Sequence, residues 1–480
     1  MQTYHQFYID GAWVDPVNPL KSLQVINPAN EEAYARIAMG DGDDVDRAVQ
    51  AATRAFDSWG YSSKDERIAL LERLKIEFDK RAEELAIETV KEMGSPIDFS
   101  RDAQIAYTSG SIDGFIKGLK EIELEIHNDP NEPGARILRE PAGVVGMITP
   151  WNWPLLQVIM KVGAALAAGC TMVLKPSEVA PVTTVLFSEI MHAAGVPKGV
   201  YNMVNGDGAS VGNAIATHAQ VDVVSFTGST RAGRSVFHAA ADDIKRISLE
   251  LGGKSPNVIF ADAPDLRDSV QRAVNFVFEN SGQSCDAAAR FLVERSIYDQ
   301  VVELASEMGK AQQVGDPMQP GAHIGPLVSD VQFGRVQALL EKGVGEGARV
   351  VAGGPGKPDG VNAGYFVKPT VFADVTPQMT LFREEIFGPA LTITPFDDED
   401  EAIKLANDSV YGLAARVETG DKDRARRVSR RLRAGTVVVN GGGTGEGAPF
   451  GGYKQSGVGR ENGALGIEDF LEAKAIGGWD

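Results

Sequence analysis

The chain has 480 residues, of which 43% are hydrophobic and 24% are charged. These proportions exclude wholesale disorder, and the length predicts about two to four domains, each with its own core. The formal net charge of −19 has the sign that repels phosphate backbones and anionic lipids, so it disfavours a nucleic-acid-binding or membrane-surface protein.

The two cysteines, Cys170 and Cys285, are too few for a disulfide framework or a thiolate metal cage, which is typical of a reducing compartment. The chain does not begin with a basic stretch followed by an apolar run, so we expect no signal peptide. The longest apolar region, residues 158–174, contains Lys161 and is shorter than the roughly 20 apolar residues of a membrane-spanning helix. We therefore expect a cytoplasmic protein without membrane or nucleic-acid partners.

Two amphipathic helices are predicted near the N-terminus. Residues 43–59 place apolar side chains on one face, with Asp43 or Asp44 as the N-cap. Residues 65–93 show similar spacing and end at Gly94, a residue type that commonly terminates helices. Both helices are expected to pack around a core formed by later segments.

Alternating strands and helices begin at residue 142 and predict a parallel sheet. Buried strands are expected at residues 142–149, 171–174, 200–204, 221–226 and 246–249, with helices at 154–168, 181–194, 209–217 and 229–240 between them. This βαβ order predicts an α/β fold with a doubly wound, Rossmann-like domain. A second α/β segment follows, with strands at 257–260 and 290–294 and a helix at 264–278.

Cys285 is the strongest single candidate for chemistry. It ends the sequence NSGQSC at residues 280–285, after an apolar helix, where backbone N–H groups could stabilise a thiolate. The alternative is an inert, half-buried cysteine, an interpretation that also suits Cys170 among its small apolar neighbours. The six histidines show no pairing with Cys285 and no metal-ligand spacing, so metal catalysis is not expected.

Other residues could assist a thiol nucleophile or bind a nucleotide. Glu250 ends a predicted buried strand, where burial would raise the pKa of its carboxyl group and suit a general base; a salt bridge to Lys254 or an arginine is the alternative. The Asn152 amide could donate to a developing oxyanion, although an Asn before Trp-Pro is also a common turn residue. The turns at residues 205–212 and 226–233 resemble dinucleotide-binding turns, but with a different glycine spacing.

Taken together, these residues resemble the aldehyde dehydrogenase superfamily, and within it the NAD(P)-dependent, non-acylating enzymes. The motifs that carry the resemblance occur in order along the chain: PWNWP at 150–154, KPSE at 175–178, FTGST at 226–230, ELGGK at 250–254, GQSC at 282–285, EEIFGP at 384–389 and PFGGYKQSG at 449–457. Each motif is weak alone, but their order favours the catalytic interpretation of Cys285, Glu250 and Asn152.

The resemblance implies a protomer of three parts. An NAD-binding domain would comprise residues 1–118 and 141–252, and an α/β catalytic domain would comprise residues 253–450. Residues 119–140 and 451–480 would form a small β oligomerisation arm and the C-terminal segment. The resemblance further implies a homodimer or homotetramer in which an edge strand pairs across subunits.

The resemblance also implies the reaction, the oxidation of an aldehyde to the carboxylic acid. The Cys285 thiolate would attack the aldehyde, and the Asn152 amide would hold the oxyanion of the thiohemiacetal. After oxidation to a thioester, Glu250 would activate the hydrolytic water.

The implied cofactor is NAD, with NADP possible. The cofactor-binding residues carried over by the resemblance are Ile148, Thr149, Pro150, Trp151, Lys175, Ser177, Glu178, Gly208, Phe226, Gly228, Ser229, Leu251, Glu385 and Phe387. Lys175 and Glu178 would bind the adenosine ribose, Ser229 the pyrophosphate and Glu385 the nicotinamide ribose. A carboxylate at Glu178 favours NAD, and Lys175 beside it would allow NADP at a lower level.

The aldehyde itself is only partly predicted. Glu279 and Asp286 occupy positions that often face the substrate tunnel in the resembled family. Two acids there would disfavour aldehydes with a carboxylate tail and would suit neutral or cationic ones. The alternatives are that either side chain points to solvent or pairs with Arg290. Asp286 departs from the small or apolar residue expected after the nucleophile.

Two other functions fit parts of the sequence. A CoA-acylating aldehyde dehydrogenase would transfer the thioester to coenzyme A, but that chemistry has no use for a water-activating base at Glu250. A non-catalytic nucleotide-binding protein of the same fold is disfavoured because Cys285, Glu250 and Asn152 are all present. Product analysis with and without CoA would distinguish the first alternative, and nucleotide binding without turnover would support the second.

Overall fold

The computed structural model describes residues 1–18 and 21–479. In chain order the strands are β1 (Gln2–Tyr4), β2 (Phe7–Ile9), β3 (Ala12–Val14), β4 (Ser22–Asn27), β5 (Glu32–Ala38), β6 (Glu125–His127), β7 (Arg136–Pro141), β8 (Val144–Ile148), β9 (Thr171–Lys175), β10 (Tyr201–Met203), β11 (Val223–Thr227) and β12 (Arg246–Glu250). They continue as β13 (Pro256–Ile259), β14 (Arg290–Glu294), β15 (Gln313–Val314), β16 (His323–Ile324), β17 (Arg349–Ala352), β18 (Thr370–Ala373), β19 (Ala390–Phe396), β20 (Ala414–Glu418), β21 (Thr436–Val439), β22 (Gly457–Val458) and β23 (Leu471–Ile476).

The α-helices lie between and around these strands. They are α1 (Gly42–Trp59), α2 (Lys64–Lys80), α3 (Ala82–Met93), α4 (Ile97–Phe99), α5 (Ala106–Glu121), α6 (Pro154–Ala168), α7 (Val182–Ala193), α8 (Asn213–Thr217), α9 (Thr230–Ala241), α10 (Leu266–Phe278), α11 (Tyr298–Ala311), α12 (Asp330–Gly345), α13 (Thr380–Arg383), α14 (Glu399–Asn407), α15 (Lys422–Arg431) and α16 (Gly463–Glu468). Two π-helical segments, Ser100–Ile105 and Gly208–Gly212, precede α5 and α8. None of the helices in the described residues is long and apolar enough to cross a bilayer.

The first large sheet confirms the predicted α/β, doubly wound fold class. Its strand order is β22-β12-β11-β8-β9-β10-β2-β3, and β8 to β12 run parallel. From β8 the chain passes to β9 on one side and later returns to β11 on the other. This reversal opens a crevice at the carboxyl ends of β8 and β11, the usual place for a ligand in such sheets. The main apolar core lies between this sheet and helices α2, α3, α5, α6 and α7.

A second large sheet is built from the later part of the chain. Its order is β17-β18-β19-β14-β13-β20-β21, and every neighbouring pair is parallel except β17 with β18. Buried apolar side chains cover both faces, with α12 to α15 on one side and α10 and α11 on the other. Since both faces are covered, the central strands β13, β18 and β19 are almost wholly buried.

A small sheet of order β23-β7-β6 joins residues from two distant segments. Strand β23 pairs antiparallel with β7, so that Glu472 lies opposite Glu140, and β6 forms the other edge. These strands belong mostly to the segments 119–140 and 451–480 that the resemblance assigns to the arm. Strand β22, in contrast, leaves the C-terminal segment and pairs with β12 at the edge of the first sheet.

Several local predictions differ from the structure. The helix predicted over 65–93 is two helices, α2 and α3, because the backbone leaves the helical region at Arg81 (φ −110°, ψ 11°). The N-cap of α1 is Asp41, whose side chain accepts from Asp43 N, while the Asp44 carboxylate accepts from Asp41 N in a capping box. The helix predicted over 209–217 begins as a π-helical turn before α8.

Candidate active site

A cleft with a volume of about 140 Å³ lies in the crevice at the carboxyl ends of β8, β11 and β12. Side chains and backbone from the predicted site and from later segments surround it: Pro150, Trp151, Asn152, Gln157, Thr227, Gly228, Ser229, Leu251, Gly252, Cys285, Gln332, Arg335, Glu385 and Phe387. The structure therefore brings Asn152 and Cys285 together with seven of the predicted cofactor-binding residues. The cleft is the strongest candidate for an active site because it combines concavity with convergent polar groups.

Cys285 is held at the cleft by an unusual turn. Asn280 (φ 53°) and Ser281 (φ 56°) both adopt the left-handed conformation, followed by Gly282 (φ 72°). A Cβ at Gly282 would collide with the backbone oxygen of Gly388, so only glycine fits between the two loops. Left-handed conformations are disfavoured for L-residues and persist where surrounding contacts enforce them.

The Cys285 thiol is half-buried, and burial raises its pKa well above the usual range. The negative charges of Asp286 and Glu250 act in the same direction, whereas a hydrogen bond from the thiol's own backbone N–H opposes them. Burial and these charges therefore favour the thiol form of Cys285 over the thiolate.

Asn152 follows β8 and is 4% exposed. Its Nδ2 donates to the backbone oxygen of Gln283 at 2.9 Å. This bond ties Asn152 to residues 279–285, the segment that ends at Cys285 and is called the cysteine loop below. A carboxamide nitrogen carries two protons, so one remains for a group bound in the cleft. This geometry suits an oxyanion donor rather than a simple turn residue.

Glu250 ends β12 and is 2% exposed, and neither carboxylate oxygen has a hydrogen-bond partner. Glu250 is not among the residues that surround the cleft, although Leu251 and Gly252, which follow it, are. A Cβ at Gly451 would come within 2.6 Å of Glu250 Oε1. Burial raises the pKa of Glu250, the negative charge of Glu461 raises it further, and Lys161 opposes the rise. The alternative of a salt bridge to Lys254 is not found, since the Lys254 Nζ is also without a partner.

A buried ion pair behind Glu250 was not predicted as part of the site. Lys161 on α6 is fully buried and pairs with Glu461, which is 3% exposed. These two residues are 300 positions apart in the chain. The only sequence signal was a lysine inside an otherwise apolar helix, and nothing in the sequence identified its partner.

One wall of the cleft carries the residues predicted to hold a nicotinamide. Trp151 and Phe387 meet edge to face, with ring centroids 5.4 Å apart. Glu385 Oε1 accepts from Gly253 N at 2.9 Å, and its carboxylate passes so close to Gly252 that a Cβ there would lie 2.5 Å from Oε2. Glycine at position 252 therefore makes room for Glu385.

The residues predicted to bind the adenosine end and the diphosphate of the cofactor lie at or after the carboxyl ends of strands β9, β10 and β11. Lys175 Nζ is 2.9 Å from Glu178 Oε2, and the side chain of Lys175 faces Gly212 of the π-helical turn. A Cβ at Gly208 would meet nothing within 4 Å, so this turn leaves open space. Ser229 caps the N-terminus of α9 by accepting from Ala232 N, which leaves backbone N–H groups available to a diphosphate.

The remaining predicted cofactor-binding residues pack or form hydrogen bonds beside the residues already described. Ile148 and Phe226 pack against Leu251 in a small apolar cluster. Thr149 N donates to Lys175 O at 3.1 Å, and Ser177 Oγ accepts from Val179 N at 3.3 Å. An open glycine turn, a helix N-terminus and a carboxylate suited to ribose hydroxyls together fit an NAD molecule.

A group of aromatic side chains without a predicted role lies next to the residue that precedes Cys285. Trp153 stacks on Tyr107 (centroids 6.0 Å apart, 16° between planes) and meets Phe99 edge to face. Its Nε1 donates to Ser284 Oγ at 3.0 Å, next to Cys285. Phe99 and Tyr107 come from α4 and α5, far from every motif.

The acids at positions 279 and 286 have a cationic neighbour, but it is not Arg290. Burial, followed by the charge of Asp286, raises the pKa of Glu279 to about 7, and Arg416 opposes the rise. Arg416 lies over the ring of Phe276 at 3.6 Å and also offsets the charge of Asp286. Arg290 instead donates to the backbone oxygens of Leu405 and Ala406, so the structure does not show the alternative in which it pairs with either acid.

Comparison with known proteins places this geometry in context. Residues 13–476 match the model of the aldehyde dehydrogenase family. The chain is 49% identical over its whole length to the whole of 3-succinoylsemialdehyde-pyridine dehydrogenase from Pseudomonas sp..

Solved structures give the same result. An aldehyde dehydrogenase from Bartonella henselae superposes with a TM-score of 0.97 at 47% identity, covering 99% of this chain and 100% of that one. Aldehyde dehydrogenase C from Pseudomonas syringae, solved as a cysteine-to-alanine mutant with NAD+ and octanal, superposes with a TM-score of 0.96 at 45% identity. That match covers 99% of this chain and 97% of the other.

Proposed function

The chain belongs to the aldehyde dehydrogenase family and oxidises an aldehyde to the carboxylic acid with NAD+, and we propose that Cys285, Asn152 and Glu250 carry out the chemistry. The observation that carries this proposal is their arrangement: Asn152 and Cys285 share one cleft, and the buried, unpartnered Glu250 carboxylate is close enough for its charge to act on Cys285. Three different segments supply these groups, so their convergence is a property of the fold.

The first proposed step is covalent. The Cys285 thiol releases its proton to solvent water in the open cleft, and its sulfur forms a bond to the aldehyde carbon while the carbonyl π electrons move to oxygen. The resulting oxyanion of the thiohemiacetal accepts hydrogen bonds from the free proton of Asn152 Nδ2 and from the backbone N–H of Cys285. The Asn152 donor is already fixed, because its Nδ2 is tied to Gln283 O.

The cofactor is proposed to lie across Ser229, Glu385 and Phe387, with its adenosine end at Lys175 and Glu178. Bound there, NAD+ supplies the oxidation by accepting hydride from the former aldehyde carbon, which leaves a thioester on the enzyme. Glu178 accepts hydrogen bonds from ribose hydroxyls and repels a 2′-phosphate, so NAD is preferred. Lys175, 2.9 Å from Glu178, allows NADP at a lower level.

The last step is hydrolysis. With its raised pKa, Glu250 is a stronger base than an exposed glutamate, and it takes a proton from water as the water oxygen bonds to the thioester carbon. The C–S bond then breaks, the carboxylic acid leaves and the Cys285 thiolate is regenerated. The CoA-acylating alternative has no use for this carboxylate.

We further propose that the substrate carries an uncharged, apolar or aromatic tail. The Pseudomonas relative is named for an aldehyde that bears a pyridine, and the P. syringae structure contains octanal. The aromatic side chains of Phe99, Tyr107 and Trp153 suit such tails. Glu279 and Asp286 outnumber Arg416 and disfavour a carboxylate.

The proposed organisation follows the three parts implied by the family: a cofactor domain (1–118 and 141–252), a catalytic domain (253–450) and an arm with the C-terminal segment. The arm sheet leaves β6 and β23 as edges, which supports pairing between subunits in a homodimer or homotetramer. The location is proposed to be cytoplasmic. Light scattering after gel filtration tests the oligomeric state.

The proposed function is tested by NADH formation over a panel of aliphatic, aromatic, cationic and carboxylated aldehydes, with and without CoA. Wild type is expected to turn over uncharged aldehydes without CoA and to release the free acid, whereas Cys285→Ala is expected to be inactive. A carboxylated semialdehyde that reacts better than its neutral analogue of equal length would contradict the substrate assignment. Turnover that survives Cys285→Ala would contradict the active-site assignment.

A further inference from the structure

A cluster of buried side-chain amides surrounds the backbone of Asn152. Gln104 Nε2 donates to Asn152 O at 3.1 Å, and Asn280 Nδ2 donates to the same oxygen at 2.9 Å. Gln104 Nε2 also lies 3.3 Å from Asn280 Oδ1, so the two amides hold each other as well. Gln104 and Asn280 are each 2% exposed. We call Gln104, Asn152, Asn280 and Gln283 the amide cluster.

The cluster fixes both ends of Asn152. Two donors hold its backbone oxygen, and its own Nδ2 is held by the backbone oxygen of Gln283. Asn280 Nδ2 reaches that same Gln283 oxygen at 3.3 Å, which links the two anchoring points. The second proton of Asn152 Nδ2 is therefore left with a defined direction rather than a rotating one.

The backbone of Asn280 shows that this placement is enforced. Asn280 and Ser281 form two successive left-handed residues immediately before the cysteine loop closes. Ser281 Oγ donates to Gly325 O at 2.9 Å, and Gln283 Nε2 donates to Asn280 O at 3.2 Å. Strained conformations of this kind persist where the surrounding structure over-determines them, and they gather at functional sites.

Gln104 reaches the cluster from a second irregular segment. It lies in the π-helical segment Ser100–Ile105, a wide turn between α4 and α5. Such turns shift the direction of the following side chains and often occur at functional sites. Neither Gln104 nor Asn280 is among the residues that surround the cleft, so each must act through Asn152.

We propose that Gln104 and Asn280 are positioning residues that aim the Asn152 amide at the oxygen of the bound aldehyde. The proposal rests on the proposed role of Asn152 as an oxyanion donor. It adds that the alignment comes from two side chains outside the cleft, one on a π-helical turn and one on a left-handed turn. A donor displaced by about 1 Å loses much of its effect on the transition state.

The test uses Gln104→Met and Asn280→Gly. Met has a similar length to Gln but has no donor, and Gly accepts the left-handed backbone at position 280, so the second change removes the side-chain bonds without adding strain. Each variant is expected to lower kcat and kcat/KM together by about 10- to 100-fold, with the affinity for NAD unchanged. The slow step is expected to be thioester formation, seen as a slower pre-steady-state burst of NADH.

Asn202→Ala is the matched control. Asn202 is also a buried amide that bridges two backbone oxygens, those of Met172 and Gly199, but it lies on β10 outside the amide cluster. Its loss is expected to lower the melting temperature while kcat stays within about twofold of wild type. A general response to removal of a buried amide would instead lower kcat in all three variants and would overturn the proposal.

A double-mutant cycle with Asn152→Ala separates positioning from general structural damage. If Gln104 and Asn280 act through Asn152, their substitutions lower kcat little further once Asn152 is alanine. A decrease in kcat as large as in the wild-type background overturns the proposal. If Asn152→Ala alone keeps kcat within about twofold, the proposed oxyanion role fails first, and the single variants show no slowed burst. Should Asn280→Gly not fold, Gln104→Met carries the same cycle.

Discussion

The two cysteines of this chain share a buried setting but differ in what surrounds the sulfur. Cys170 follows the left-handed Gly169 at the end of α6, is 0% exposed, and has its Sγ 3.3 Å from the backbone oxygen of Phe470. Cys285 follows a left-handed turn as well, but its sulfur faces a cleft shared with Asn152.

Burial raises the pKa of both thiols, that of Cys170 to about 11 and that of Cys285 well above the usual range. A low resting pKa therefore does not mark the nucleophile in this protein. What distinguishes Cys285 is space for a carbonyl group, donors for the oxyanion and the Glu250 carboxylate nearby. We propose that access and transition-state contacts decide the reactivity of the two thiols, and the predictions that follow test that difference.

The largest expected effect is from Cys285→Ala, which removes the group that bonds to substrate. The turnover number should fall by at least about 10⁴-fold, because loss of a nucleophile disables the whole catalytic unit. NADH formation measures the loss, and NAD binding followed by protein fluorescence confirms an intact fold. Activity within tenfold of wild type would place the nucleophile elsewhere.

The second-largest effect on turnover is expected from Glu250→Gln. Replacement of a general base should slow steady-state turnover by about 10²- to 10⁴-fold while thioester formation continues. Rapid mixing should then show a burst of about one NADH per active site followed by a slow phase. A variant that is slow but shows no burst would mean that Glu250 acts before the thioester forms.

A smaller effect is expected on the pH profile. Glu250 acts as a base only when ionised, so turnover should rise with pH through its raised pKa. Glu461→Gln removes a negative charge that raises that pKa, and the acid limb of kcat should move to lower pH. The surface substitution Glu468→Gln, near Arg139, is the control and should leave the limb in place. An upward movement in Glu461→Gln would contradict the assigned interaction.

The smallest effect on catalysis is expected from Cys170→Ala. It should cost about 1 kcal/mol in the free energy of unfolding, through the small cavity that replaces the sulfur, and leave kcat unchanged. Thermal unfolding and NADH formation measure the two quantities. In the native enzyme iodoacetamide should modify Cys285 before Cys170, and the reverse order would break the comparison between the two thiols.

Much of this arrangement could be predicted from the sequence. The strands β8 to β12 were predicted because buried parallel strands are continuous apolar runs between helices of regular length. Glu250 was selected at the end of a predicted strand, Asn152 on the loop after one and Cys285 after a predicted helix. The order of the motifs favoured a catalytic role for all three, which stays a prediction.

The contacts that complete the site could not be predicted in the same way. Lys161 and Glu461 are 300 positions apart, and Gln104 lies in a π-helical turn whose sequence resembles an ordinary helix. Strand β22 is two residues long and joins the first sheet from the C-terminal segment. Each feature depends on tertiary pairing, which leaves no periodicity in the local sequence.

The break between α2 and α3 is a further, more local feature that could not be predicted from the sequence. Arg81 has no helix-breaking side chain, yet its backbone turns there and its guanidinium reaches both Glu84 and Glu189 of α7. Packing against α7 therefore sets the boundary, and the residue type alone gives no signal.

The most direct test of the central claim is to trap the covalent intermediate. Glu250→Gln enzyme is mixed with NAD+ and an uncharged aldehyde, quenched in acid, digested and examined by mass spectrometry. The account predicts an acyl group on the peptide that contains Cys285, bounded by Arg272 and Arg290, and an unmodified peptide containing Cys170. An acyl group on Cys170, or turnover with no acylated cysteine, would contradict it.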